Sequence, residues 1–117
     1  MTTGALCLRG AALLGTGECR TFEYDSGGEE LGGFVLRHES GLFAYQNRCP
    51  HWSVDLDMGD GRFYAEDIDR IYCKTHGALF RVVDGYCDHG PCHGKALSPF
   101  LLTIDGDDVW VTLERAQ

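Results

Sequence analysis

Four residues in two short boxes carry the chemistry open to this sequence. Cys49-Pro50-His51 offers one thiol and one imidazole, and 21 residues later Cys73-Lys74-Thr75-His76 offers the same pair again. Thiolates are soft ligands suited to iron–sulfur clusters or zinc, while imidazole suits zinc, iron, copper and nickel. A two-iron cluster can take two thiolates on one iron and two imidazoles on the other. A single zinc ion could take the same four ligands tetrahedrally. Zinc modules, however, usually pair two cysteines in one knuckle and two histidines in the other. Here each box holds one of each, which favours the asymmetric cluster.

Beyond the four ligands, Gly77-Ala78-Leu79-Phe80 follows the second histidine, Asp84-Gly85 turns, and Gly90-Pro91-Cys92 comes next. With these features residues 47–104 resemble the Rieske [2Fe-2S] proteins, and in particular the small soluble Rieske ferredoxins, whose proline-containing loop over the cluster corresponds to Gly90-Pro91-Cys92. The resemblance implies one [2Fe-2S] cluster per chain. Cys49 and Cys73 would bind the inner iron as thiolates, and His51 and His76 the outer iron through one ring nitrogen each. It also implies imidazoles near the surface, where a partner protein approaches.

High-potential members of that family carry a disulfide between the cluster loops, and Ser and Tyr hydroxyls that donate to the cluster sulfurs. The corresponding positions here hold Val54 and Thr75, and Ala78 and Phe80. Without such donors the more negative reduced state is less stabilised, so the low-potential ferredoxin branch is expected. Two departures stand out. Pro50, which lacks an N–H, and Trp52 replace more usual residues, and the 21-residue spacer leaves room for an excursion over 55–69.

The elements that must position these boxes read as strands. Residues 5–8 form a short first strand, and 18–24 alternate with a period of two. A polar turn over 26–30 leads to paired strands at 34–38 and 42–46, with His38 on an exposed position. Short strands follow at 62–65, 70–73 and 78–81. The chain closes in a hairpin, with Phe100, Leu102 and Ile104 on one face, a turn at Asp105-Gly106-Asp107-Asp108, and Val109, Val111 and Leu113 returning. The expected class is all-β: one Rieske-type domain over 1–117, built of antiparallel sheets. A basal β part of about 1–46 and 97–117 would carry an inserted cluster-binding subdomain of about 47–96.

The chain has 117 residues, the size of one domain. A catalytic domain with a mononuclear iron would not fit beside the first, so an electron-transfer protein is expected and not an enzyme. Ten basic and 18 acidic residues give a net charge of −8. That excludes a typical nucleic-acid binder and favours steering towards a basic partner. Met1-Thr2-Thr3-Gly4 lacks a basic leader, and Ala11-Ala12-Leu13-Leu14 is too short to span a bilayer. A cytoplasmic, membrane-independent monomer is expected.

Six cysteines without a secretory signal do not suggest a disulfide framework. Cys7 and Cys19 read as small buried hydrophobes. Cys87 and Cys92 read as structural thiols; a local disulfide, or a second metal bound with His89 or His93, are the alternatives. Trp52, Phe80 and Trp110 read as packing residues. The expected function is one-electron transfer from a flavin-dependent reductase to a terminal oxygenase or similar enzyme, as the ferredoxin component of a multicomponent oxidoreductase. Docking would centre on His51, His76 and Pro91, with a rim of Asp55, Asp57, Asp60 and Asp88. A redox- or iron-responsive accessory subunit and a structural zinc module are the alternatives.

Overall fold

Successive side chains of a strand point to opposite faces, so an unbroken apolar run such as Phe34-Val35-Leu36 must be covered on both sides. The computed structural model, which describes residues 5–26, 28–50, 55–75 and 77–113, shows what covers it. In chain order the strands are β1 (Ala5–Leu8), β2 (Cys19–Ser26), β3 (Glu29–His38), β4 (Gly41–Gln46), β5 (Tyr64–Ala65), β6 (Arg70–Tyr72), β7 (Leu79–Phe80), β8 (Cys87–His89), β9 (Leu101–Asp105) and β10 (Asp108–Thr112). Among these residues they form three sheets, ordered β1-β10-β9, β2-β3-β4 and β5-β6-β7-β8. Every pairing is antiparallel. The chain is therefore all-β, as expected. Among the described residues no helix is long and apolar enough to cross a membrane.

The sheet β2-β3-β4 divides two cores. Phe34 and Leu36 of β3 and Tyr45 of β4 face a core that contains Leu56, Phe63, Ile71, Phe80 and Val82. Phe34 stacks on Phe63, with ring centroids 3.9 Å apart and planes 8° from parallel. Val35 and Ala44, one residue out of step, face the other core with Phe22, Tyr24, Phe100, Val109 and Val111. There Phe100 meets Phe22 and Tyr24 edge-on, at 5.5 and 5.3 Å. Gly33 lies opposite Phe22 in the ladder. A Cβ on Gly33 would come within 2.4 Å of that ring, so only glycine lets the ring lie on the strand.

Several boundaries differ from those read in the sequence. β2 runs to Ser26 and β3 starts at Glu29, and these two residues pair. Both ends of the polar turn expected over 26–30 are thus strand, and so is Gly32-Gly33. The closing turn likewise reduces to Gly106-Asp107, since Asp105 and Asp108 pair. β8 was not foreseen; it adds Cys87 and His89 to the edge of the third sheet, across from Phe80 and Leu79. Val109 and Val111 are buried as expected, but Ile104, across from Val109 on the edge strand β9, is exposed. Phe80 is buried as a packing residue should be, whereas Trp110 is 39% exposed.

Candidate metal centre

The loops that carry the two boxes are closed by a few polar contacts. Asn47, just past β4, donates its backbone N–H to the Gly32 carbonyl at 2.9 Å. Its side chain accepts from the Leu56 N–H at 2.8 Å and donates to Asp57 Oδ1 at 3.2 Å. One residue thereby ties the chain before the first box to the chain after it. Asp57 is buried and also accepts from the N–H groups of Gly59 (3.2 Å) and Gly61 (2.9 Å). A short carboxylate that organises its own following turn is a common solution for an irregular loop. The Leu56 carbonyl then accepts from the Lys74 N–H at 3.0 Å, joining the first loop to the second.

The second box closes on itself. The Gly77 N–H donates to the Cys73 carbonyl at 2.8 Å, and the Cys73 N–H to the Ala78 carbonyl at 2.9 Å. A third loop lies against it. Gly90 has φ +99°, and a Cβ there would stand 2.8 Å from the Ala78 Cα, so backbone packs on backbone. Two residues on, the Cys92 Sγ lies 3.3 Å from the Cys49 Sγ. Three loops thus converge on the sulfur-bearing core.

Cys49 and Cys73 are both buried, at 1% and 0% exposure, and belong to the same core as Ala78, Phe80 and Cys92. His51 and His76, with Trp52 and Val54, lie outside the described residues. Two thiols brought from separate loops into one apolar wall fit a group that takes two thiolates, because a cationic metal centre stabilises the deprotonated sulfurs. Among the described residues no set of three His, Cys, Asp or Glu side chains is placed to hold a metal ion. Cys87, His89, Cys92 and His93 are within that set, so the structure gives no support to a second metal there. Cys87 is buried and its Sγ donates to the His89 carbonyl at 3.2 Å. Pro91, His89 and His93 are exposed.

Charge around the site is more locally paired than the sequence implied. Of the four rim carboxylates, Asp55 and Asp60 are exposed, Asp88 is partly exposed and Asp57 is internal. Asp60 pairs with Lys74, which holds its carboxyl below the usual carboxylate range. Asp88 takes a forked contact from Arg70, at 3.1 Å to Nε and 2.9 Å to Nη2. That guanidinium likewise lowers the Asp88 carboxyl.

His38 also differs from expectation. It is buried: Nδ1 accepts from the Ser40 N–H at 3.1 Å, which leaves Nε2 to donate to Asp69 at 2.8 Å. The Tyr64 hydroxyl donates to the same carboxylate at 2.5 Å. Asp69 is lowered by these two donors, and hydrogen bonding to it pushes the Tyr64 phenol up to about 12. Cys19 is half-buried, and burial raises its thiol to about 11, the behaviour of a packing cysteine and not of a reactive one.

Asn47 and Leu56 are site-building residues that sequence reasoning missed, and Cys92, read as a structural thiol, was missed only in its contact with Cys49. Their partners lie 9 to 43 positions away, and no local period marks such contacts.

The sequence pattern of the Rieske [2Fe-2S] domain family matches residues 10–105. Among solved structures, a chain of the complex of reduced oxygenase and oxidized ferredoxin in carbazole 1,9a-dioxygenase is 25% identical, with TM-score 0.72 over 97% of this chain and 96% of that one. The ferredoxin of carbazole 1,9a-dioxygenase from Nocardioides aromaticivorans IC177 is 26% identical, with TM-score 0.68 over 97% of this chain and 100% of that one. A chain from the reduced complex between oxygenase and ferredoxin in carbazole 1,9a-dioxygenase shares the fold at 20% identity and TM-score 0.74. This chain spans only 29% of its length. No curated protein matches the chain.

Proposed function

The chain belongs to the Rieske [2Fe-2S] domain family, and from that premise we propose that it works as a ferredoxin, carrying single electrons from a flavin-dependent reductase to a terminal oxygenase or similar enzyme. One observation carries this reading: the chain aligns over nearly its whole length, and over the whole of the other, with a dioxygenase ferredoxin. The family implies a [2Fe-2S] cluster. We assign it one per chain, with Cys49 and Cys73 as thiolate ligands and His51 and His76 as imidazole ligands, in a cluster-binding subdomain of about 47–96. The bound group supplies one-electron redox chemistry, at a potential set by ligand charge, hydrogen bonds to sulfur and solvent exposure.

The chain's own residues do the rest. Ala78, Phe80, Leu56 and Ile71 share one buried apolar core with the two sulfurs, which keeps water from them. Asn47 and the Leu56–Lys74 contact fix the separation of the two boxes. Exposed Thr75, Gly77, Pro91 and His93 offer a surface for a partner close to the buried thiols. Its carboxylates are largely paired with Lys74 and Arg70, so docking should depend on salt less steeply than the net charge of −8 suggests.

The test is EPR of anaerobically purified protein before and after dithionite, with iron and acid-labile sulfide counted. A signal of low average g on reduction, with two irons and two sulfides per chain, supports the reading. A silent spectrum with one zinc per chain overturns it in favour of a structural metal module. A cluster that the reductase reduces too slowly for turnover favours a redox-responsive accessory subunit.

A further inference from the structure

In the resemblance drawn from the sequence, Ala78 and Phe80 stand where hydroxyls donate to the cluster sulfurs; the structure places the Cys92 thiol in the same buried core. We propose that Cys92 is a positioning residue that donates its S–H to the Cys49 thiolate and thereby raises the reduction potential. The inference rests on the function proposed above.

The two sulfurs are 3.3 Å apart and both side chains are at most 1% exposed. Either could donate in isolation. A cysteine that binds iron must give up its proton, so with Cys49 as ligand only Cys92 is left to donate. The Cys92 side chain is held in place by its own loop. The His93 N–H donates to the Gly90 carbonyl at 3.1 Å, and the Lys95 N–H to the Cys92 carbonyl at 2.8 Å. Cys87 anchors the same loop, donating its N–H to the Lys95 carbonyl at 2.7 Å and accepting from the Gly94 N–H at 3.2 Å. The contact of Gly90 with Ala78 fixes the loop against the second box. Burial strengthens a hydrogen bond to a charged acceptor. A donor on a ligand sulfur draws off negative charge, which favours the reduced form.

Cys87 provides the internal control. It is an equally buried thiol on β8, at the base of the same loop, but its Sγ is directed to the His89 carbonyl and not to a ligand.

The experiment is a dye-mediated potentiometric titration of the full chain, followed by EPR, for wild type, Cys92→Ala, Cys92→Ser and Cys87→Ala. Exchangeable-proton couplings are read by ENDOR after transfer to deuterated buffer. Cys92→Ala should move the midpoint to more negative values, lowering the reduced-to-oxidised ratio at fixed poise by up to about tenfold (~59 mV for one electron). It should also lose an exchangeable proton coupling. Cys92→Ser should keep the coupling and recover part of the shift, and Cys87→Ala should leave the midpoint in place. An intact cluster with unchanged midpoint and coupling in Cys92→Ala overturns the proposal, as does an equal shift in Cys87→Ala. If Cys92→Ala does not retain its cluster, Cys92→Ser decides: a retained coupling supports the proposal, and its loss without a shift overturns it. A wild-type protein with no cluster overturns the proposed function and this inference together; a wild-type cluster that ignores Cys92 overturns this inference alone.

Discussion

The two cores on either side of β2-β3-β4 are built by different means. On one side β1, β10 and β9 form a sheet of their own with ladders of four and five residue pairs, and Phe22, Tyr24, Phe100, Val109 and Val111 fill the core between it and β2-β3-β4. On the other side the strands are two or three residues long. There the loops depend on Asn47, Asp57, the Lys74–Leu56 contact and the Gly90–Ala78 approach. Both cores bury apolar side chains, but the loops of the second depend in addition on these individual contacts.

The largest effect expected is on the second core alone. Cys73→Ser should abolish iron binding, because the hard hydroxyl is a poor substitute for a thiolate. Amide exchange in β6 and β7 should speed up, while β10 keeps its protection. Iron analysis with hydrogen exchange by mass spectrometry reads both. Uniform loss of protection would show that the two cores fold as one unit.

Phe34→Ala should come next, at about 3–5 kcal/mol in denaturant unfolding, because its ring stacks on Phe63 in a fully buried site. Val35→Ala, on the opposite face of the same strand, removes fewer atoms and should act mainly on β9 and β10. Asn47→Ala deletes two side-chain contacts and strands buried partners. A cost of about 2–3 kcal/mol is expected, accompanied by faster loss of iron to a chelator. Unchanged chelation kinetics in Asn47→Ala would mean that the first box is held by something other than its closed ends.

This contrast also governs what the sequence reveals. Alternation every two residues in 18–24 and 109–113 makes β2 and β10 legible, and the apolar runs about Ser40-Gly41 make β3 and β4 legible. The cysteine–histidine boxes are legible because ligand chemistry restricts residue type and spacing. β8 was missed because Cys87-Asp88-His89 has no period and pairs only at the edge of a sheet. His38 appeared exposed because its partner Asp69 is 31 positions away. Asp57 read as a surface charge because nothing local shows that Asn47 and two glycine N–H groups enclose it. The Cys49–Cys92 contact joins residues 43 apart. The first core is written in local pattern, and the second in contacts that only the fold creates.

The smallest effect expected concerns pH, and it tests whether charge as well as packing stabilises the second core. Arg70 reaches across from β6 to Asp88 on β8 and lowers its carboxyl; Tyr64 and then His38 lower Asp69. A carboxyl depressed in the folded state contributes stability that is fully present above the unfolded value, about 3.9. That stability is lost as pH falls through the lower folded value. Acid should therefore weaken the sheet β5-β6-β7-β8 below about pH 4. Asp88→Asn should flatten that dependence and, since both side chains are partly solvated, cost less than about 1 kcal/mol at neutral pH. Chemical denaturation of wild type and Asp88→Asn at pH 7 and in steps below pH 5 measures the difference. Parallel acid slopes for the two proteins would place the origin of acid sensitivity elsewhere, with Asp69 as the next carboxylate to neutralise.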